Sequence, residues 1–346
     1  MDDFLFKVIL VVVLFVVSLV VAMYSTYGER KVSAFMQDRI GPNRAGPFGL
    51  LQPLADGIKM FMKEEIIPNV SNKALFILGP CLAMTTALMA GVLIPWGGDI
   101  VIGGKTYSLQ IADLNIGVLY IFGVTSLGVY GIMIGGWASN NKYSLMGAIR
   151  ASAQMISYEI AMGLAIIALI MTTGTMSLGE IARQQDAGLA NIAYQPLGFL
   201  IFLICVFAEL NRAPFDMPES ESELIGGYHT EYSSMKLGLY LFAEYINMFI
   251  SSAVLVTFYL GGYHFPFQQE INQFFDLSTN MIAILGTVVF FLKIFFFIFF
   301  FMWVRWTLPR FRYDQLMRVG WKSLIPLAIL NILITGVVMW MNGKLN

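Results

Sequence analysis

Charge is scarce in this sequence. Asp, Glu, Lys and Arg make up 12% of its 346 residues, about half the share found in a soluble domain. Two Cys and two His are all it has of the side chains that most often hold metals. Cys81 and Cys205 each sit inside an apolar run, no CxxC pair occurs, and His229 and His264 are far apart. Ligation of a metal or an iron–sulfur cluster by this chain alone is therefore not expected. Both Cys read as small packing residues. No Walker A or GxGxxG fingerprint is present, so nucleotide binding is not expected either. A formal net charge of −1 argues against electrostatic binding of nucleic acid.

What remains is apolar. Hydrophobic residues are 58% of the chain, with 28 Phe and 21 Met, and the mean hydropathy is +0.72. A soluble core cannot use that much apolar surface, so the solvent must be lipid. Crossing a bilayer takes about 20 apolar residues. Eight segments qualify or nearly do: 4–27, 75–95, 116–137, 154–172, 196–210, 237–260, 281–303 and 321–341. The fifth is the shortest. The first is too long for a signal peptide and lacks a small-residue cleavage site, so it should remain as a helix. The expected fold is all-α: one polytopic membrane domain, 1–346, with about eight transmembrane helices, a cytoplasmic amphipathic helix and long cytoplasmic loops.

The basic residues orient these spans. The first, third, fifth and seventh loops hold sixteen of the 21 Lys and Arg residues, whereas the even loops hold only Lys105 and Arg183. Positive charge near span ends is retained in the cytoplasm. The odd loops should thus lie inside and both termini outside, which requires an even number of spans. No paired, similarly broken spans indicate an inverted-repeat transporter.

Two inner loops carry unusual chemistry. In loop one (28–74), Gly41-Pro42 and Gly46-Pro47 impose turns on an irregular path. Over 50–62, Leu50, Leu51, Leu54, Ile58, Phe61 and Met62 recur at helical spacing, opposite Asp56, Lys59 and Lys63. This pattern predicts an amphipathic helix at the membrane surface, which by itself could be a simple interfacial anchor. Arg30, Arg39 and Arg44, set among Gly and Pro, need fixed partners rather than a solvated helix face. In loop five (211–236) and just before it, Glu209, Asp216, Glu219, Glu221, Glu223 and Glu231 crowd together. An acidic run is most often a solvated loop. Here Pro214, Phe215, Met217, Leu224, Ile225 and Tyr228 are interleaved with it, implying partial burial and raised proton affinity.

Four ionisable residues stand at or near membrane depth: Glu159, Glu209, Glu244 and Lys293. Each costs about 2.5–3.5 kcal/mol at a span centre, and together about 10 kcal/mol, comparable to the stability of a whole domain. They should face a hydrated or protein-lined interior and serve proton or charge movement. Glu209 and Glu244 have the alternative of sitting at span ends. The stretch RWTLPRFRYDQLM (305–317) follows a Phe-rich span and reads equally as stop-transfer charge.

GLLQPLADGIK (49–59) and PFDMPESESEL (214–224) resemble the two signature segments of the H subunit of bacterial NADH:quinone oxidoreductase, respiratory complex I. ERKVSAFMQDRIGPNRAGPFG (29–49) and RWTLPRFRYDQLM extend the match. By hydropathy and helix count the resemblance covers the whole chain, while the outer loops 96–115, 173–195 and 261–280 carry no matching motif. The resemblance implies a multi-pass protein of the bacterial cell inner (cytoplasmic) membrane. It implies a place beneath the hydrophilic arm, against the subunit with the terminal iron–sulfur cluster and its 49-kDa-type neighbour, beside small and antiporter-like membrane subunits. It also implies a tunnel for quinone, the substrate. FMN and iron–sulfur clusters would belong to partner subunits, with no cofactor on this chain alone. Carried over residue by residue, Arg30, Arg39, Arg44, Asp56, Lys59 and Tyr228 would line the quinone tunnel. Glu159, Glu209, Asp216, Glu219, Glu221, Glu223 and Glu244 would transfer or couple protons, with Tyr143, Arg150, Lys293 and Arg310 as further candidates.

Three other readings compete: a stand-alone ion transporter, the corresponding subunit of a membrane-bound hydrogenase-type complex, and a structural anchor. Buried Glu and Lys suit a transporter, but the large inner loops do not. The electron donor binds elsewhere, so this chain discriminates poorly between the two complexes.

Overall fold

The computed structural model describes all residues except 1–2, 187–189, 219–220, 266–267, 269–277, 342 and 344–346, and the side chains of 221–222. Helices dominate: α1 (Asp3–Met36), α2 (Gln52–Met62), α3 (Lys73–Ala90), α4 (Gly117–Ala138), α5 (Lys142–Thr173), α6 (Leu178–Gln184), α7 (Asn191–Tyr194), α8 (Pro196–Glu209), α9 (Glu221–Leu224), α10 (Ser234–Tyr259), α11 (Thr279–Thr307), α12 (Tyr313–Arg318) and α13 (Ile325–Met341). A π-helical turn, Val319–Leu324, joins the last two.

Among the described residues, seven helical stretches are long and apolar enough to cross a membrane. The chain is a multi-pass, all-α membrane protein. The remaining apolar helix, α8, has 14 residues and covers about 21 Å, against a hydrocarbon layer of about 30 Å. Polar groups stand at both its ends. Glu209 closes one, and at the other Gln195 donates to the Ala168 carbonyl at 2.7 Å and accepts from Asn331 at 3.4 Å. Of the long spans, α10 is the most enclosed and α1 the least. That is the layout expected of a bundle with one central helix and lipid-facing helices around it.

Two helices extend well past the apolar segments. α1 continues to Met36, so Glu29 and Arg30 are helical rather than part of a loop. α5 begins at Lys142, where Asn141 caps it by accepting from the Tyr143 N–H at 2.9 Å. Most of loop three is therefore the first turns of a helix. Hydropathy finds only the part of a helix immersed in lipid, whereas hydrogen bonding carries it on as far as a cap allows. The hydropathy pattern also missed a two-residue β-hairpin in the second loop. Strand β1 (Asp99–Ile102) pairs antiparallel with β2 (Lys105–Ser108) across Gly103-Gly104, both at positive φ.

Small residues set the helix spacing. A Cβ on Gly131 of α4 would come within 2.9 Å of the Ala83 backbone nitrogen, so only Gly allows α3 and α4 to approach this closely. In loop one, Gly49 at φ 82 lies against the Pro42 carbonyl. This turn, held by Tyr27 donating to the Phe48 carbonyl at 2.7 Å, delivers the chain to α2. Ser234 donates to the Met60 carbonyl at 3.1 Å from the α10 side. The apolar residues Leu54, Ile58 and Phe61 of α2 remain exposed, as an amphipathic helix at a membrane surface requires.

Candidate functional site

Between α1, α2 and α10 lies an open cavity. Its wall is mostly apolar, with Met23, Pro53, Met60, Leu241 and Phe242, and one polar corner holds Arg30, Asp56 and Lys59. Asp56 accepts from Arg30 at 2.5 Å, from Gln52 at 3.2 Å and from Lys59 at 3.4 Å. Partial burial raises its proton affinity, but Arg30 and Lys59 more than offset this and hold the carboxyl below the usual range. Three residues read from the sequence as tunnel wall thus meet in one place. Arg39 is exposed and bonds Gln37 and Ser33, and Arg44 is exposed; neither lines this cavity. Tyr228 lies elsewhere, in the acid-lined cavity described below.

Tyr245 of α10 also lines this cavity, and its hydroxyl donates to Glu29 at 2.7 Å. There a buried ion network begins. Glu29 accepts from Arg305 of α11 at 2.5 Å and from Arg212 at 3.0 Å. Arg212 also donates to Glu244 at 2.9 Å and stacks over the Tyr245 ring, 4.3 Å from its centre. It is 2% exposed, and its Nη2 has no hydrogen-bond partner. Burial alone would disfavour its charge, yet Glu29 and Glu244 together hold its pKa above that of a free guanidinium. In the sequence none of these three stands out as a site: Arg305 opens a stretch that reads equally as stop-transfer charge, and Glu29 and Arg212 lie in loops read for other residues. All three stand at the ends of apolar runs, where charge ordinarily signals an interface.

Beyond Glu244 is a second, small cavity, lined by Thr86, Thr125, Glu209, Asn211, Tyr228, Tyr240 and Glu244 among others. Glu209 shares this cavity lining with Thr125 and lies within electrostatic reach of Glu159, and Glu159 accepts from Ser126 at 2.7 Å. The three carboxylates read as membrane-embedded therefore form one row from α10 through α8 to α5.

The acidic loop is drawn in only partly. Asp216 is 6% exposed and accepts from Arg310 at 2.5 Å, while its second oxygen has no partner. Burial raises its pKa despite the opposing charges of Arg310 and Arg305. Glu223 is half-exposed and accepts from Arg150 at 2.5 Å, a surface pair worth about 0–1 kcal/mol. Glu231, on the same loop, accepts from Asn141 at 2.6 Å. Glu219 and the side chain of Glu221 lie outside the described residues. Tyr143 is exposed on α5. Lys293 is apart from the row: its ammonium donates to the carbonyls of Leu260, Gly262 and His264 at 2.7, 3.0 and 2.6 Å, closing the end of α10. Among the described residues no group of His, Cys, Asp or Glu could hold a metal ion.

Comparison with known proteins agrees with this architecture. A family model described as NADH dehydrogenase matches residues 8–336. The chain is similar to an H subunit of the NADH-quinone oxidoreductase of Cytophaga hutchinsonii, 71% identical over 95% of both chains. It is 63% identical to the H subunit of the Flavobacterium johnsoniae enzyme, over 96% of this chain and 94% of that one. With the H subunit from Leptospira biflexa the identity is 47%, over 95% and 94%. The chain belongs to the NADH dehydrogenase family, in the group formed by the H subunits of the NADH-quinone oxidoreductases.

Proposed function

We propose that this chain is the membrane subunit of a bacterial proton-translocating NADH:quinone oxidoreductase, and that it guides quinone to its reduction site and connects that site to a proton path. One observation carries the reading: a hydrogen-bonded chain of buried polar groups starts at Tyr245 in the wall of an otherwise apolar open cavity. It runs through Glu29 and Arg212 to Glu244, which lines a second cavity together with Glu209. A quinone has a small polar head and a long apolar tail, so an amphipathic cavity beside an interfacial helix suits it. The head takes two electrons from a partner subunit's cluster and two protons, becoming quinol. Charge developing at the head would act on Glu29 through Tyr245, and on the Asp216–Arg310 pair through Arg305. The chain binds no cofactor in this reading. FMN and iron–sulfur clusters sit in partner subunits, including the terminal-cluster and 49-kDa-type subunits above the odd loops, with antiporter-like subunits alongside in the membrane. The excess of Lys and Arg in the odd loops supports a cytoplasmic position for them, with both termini periplasmic, in the inner membrane.

The test separates the two halves of the proposal. Asp56→Asn and Arg30→Met should raise the apparent KM for a short-chain quinone severalfold and leave the proton yield per electron unchanged. Glu244→Gln and Asp216→Asn should lower coupled turnover. Asp216 titrates above the ordinary Asp range, so below that point it is neutral and above it the Arg310 pair closes. The pH profile of the wild-type complex should carry this ionisation, and Asp216→Asn should remove it. Unchanged quinone reduction and pumping in Asp216→Asn and Glu221→Gln would end the coupling role of loop five.

A further inference from the structure

One side chain of α5 holds both ends of the turn that leads out of α8. Gln154 is wholly buried. Its amide nitrogen donates to the Ala208 carbonyl at 2.7 Å and to the Phe215 carbonyl at 2.7 Å, with Asn211 Oδ1 at 3.2 Å. Ala208 precedes Glu209, the last residue of α8, and Phe215 precedes Asp216. Between them in the chain stands Arg212 of the ion network. One amide thus brackets three ionisable residues of the proposed proton path. On another side of the turn, the Phe311 N–H donates to the Pro214 carbonyl at 3.1 Å. The Phe215 ring packs against Tyr158 of α5 and against Phe311, with ring centres 5.3 and 5.4 Å apart.

The two carbonyls explain the amide. The last carbonyls of a helix have no partner within it. That of Ala208 has a long bond from its own chain, 3.4 Å from the Asn211 N–H. The Phe215 carbonyl lies in an irregular turn. A buried carbonyl left unpaired costs about as much as a lost hydrogen bond. An amide nitrogen carries two N–H groups, and here they meet these two carbonyls. The amide oxygen of Gln154 is buried with no partner among the described residues, a cost that an apolar side chain of the same length would avoid. What Gln154 supplies is therefore its pair of donors. A seven-residue turn left to itself has many conformations to lose on ordering; pinned at both ends by one rigid group, it has few.

We propose that Gln154 is a positioning residue that locks the 209–215 turn, so that Glu209 in the acid row and Asp216 against Arg310 keep a fixed separation and a displacement of one is carried to the other. An amide does not titrate, so Gln154 acts through these groups and carries no proton itself. This inference rests on the proton-path reading above. The charged groups facing Asp216 are Arg310, Arg305 at the end of α11 and Glu244 of α10, with Tyr158 of α5 against the neighbouring Phe215 ring. Burial holds Asp216 above the ordinary Asp range. Releasing the turn admits water to its carboxyl and moves its titration down.

The experiment uses the assembled complex in sealed membranes. Gln154→Met keeps the length of the side chain and removes both donors. It should lower coupled turnover about tenfold, the factor that one lost hydrogen bond represents, with the apparent KM for quinone unchanged. The ionisation of Asp216 in the pH profile should move to lower pH. In an Asp216→Asn background the same substitution should cost little more, because the two residues act as one unit. A wild-type rate and profile in Gln154→Met overturns the proposal. A lost rate with an unmoved profile, or a loss that simply adds to that of Asp216→Asn, indicates packing and overturns it as well. If Asp216→Asn and Glu209→Gln themselves pump normally, the proton-path reading falls and the lock with it. Should Gln154→Met fail to assemble, Gln154→Asn decides: its amide is one methylene shorter and reaches one carbonyl at most. Its profile should move in the same direction, and an unmoved profile overturns the lock.

Discussion

Arg212 is a buried cation whose energy depends on its neighbours. A charge taken out of water costs several kcal/mol unless it is paired, and here two carboxylates and an aromatic face meet one guanidinium. Arg212→Met leaves Glu29 and Glu244 buried with fewer partners and should destabilise the subunit by about 3–5 kcal/mol. The check is the melting temperature of the purified complex, or the fraction of subunit assembled if melting is masked by partners. Arg212→Lys should recover only part of this, because an ammonium cannot present the planar fork that reaches both acids. An unaltered melting temperature in Arg212→Met would mean that water reaches the network. How legible these residues were in the sequence follows from the same energetics. Glu159, Glu209 and Glu244 stood out because charge inside an apolar run is expensive, and the structure brings them into one row. Glu29 and Arg305 sit where such runs end, and the contact between Glu29 and Arg212 spans 183 positions. No local pattern encodes it.

Among elements, loop one is the part whose order depends most on single backbone positions. The helical spacing of 50–62 and the Gly-Pro pairs were readable, and α2 occupies that stretch. The path between α1 and α2 was not, because it is held by contacts such as Tyr27 to Phe48 and Arg30 to Asp56. Gly49 is the tightest point. At φ 82, with the Pro42 carbonyl where a Cβ would stand, Gly49→Ala must shift either the turn or α2. The expected outcome is a severalfold rise in the apparent KM for quinone, with NADH oxidation by an artificial acceptor on the partner subunits unchanged. Wild-type quinone kinetics would show that α2 holds its place without the turn. The β-hairpin is the opposite case. Its Gly-Gly turn between alternating residues was present in the sequence, but a four-residue strand carries little weight beside apolar runs of twenty.

At the scale of the whole molecule, the asymmetry of Lys and Arg makes a prediction about sidedness. A Cys placed at Lys105, in the β-hairpin, should react with a membrane-impermeant thiol reagent added from the periplasmic side. A Cys at Arg44 should react only after the cytoplasmic face is opened. The opposite pattern would invert the topology and with it the orientation of the acid row. The native background is small: Cys205 is buried, and Cys81 is exposed only on the apolar helix α3. Among the described residues seven helices are long and apolar enough to cross a membrane, and α8, the fifth of the eight segments expected from hydropathy, is shorter, with polar groups at both its ends.

That shortness has an electrical consequence. The insulating stretch between Gln195 and Glu209 is about 21 Å long, roughly two-thirds of the surrounding hydrocarbon. A membrane voltage that drops over a thinner insulator makes a steeper field. The full drop is worth about 2.3 kcal/mol per elementary charge at 100 mV, so with α8 as the fifth span a given displacement of charge along it would exchange more energy with the voltage than along a longer helix. On the proposed eight-span topology, α8 is the helix along which the membrane potential would act on moving charge with the greatest leverage.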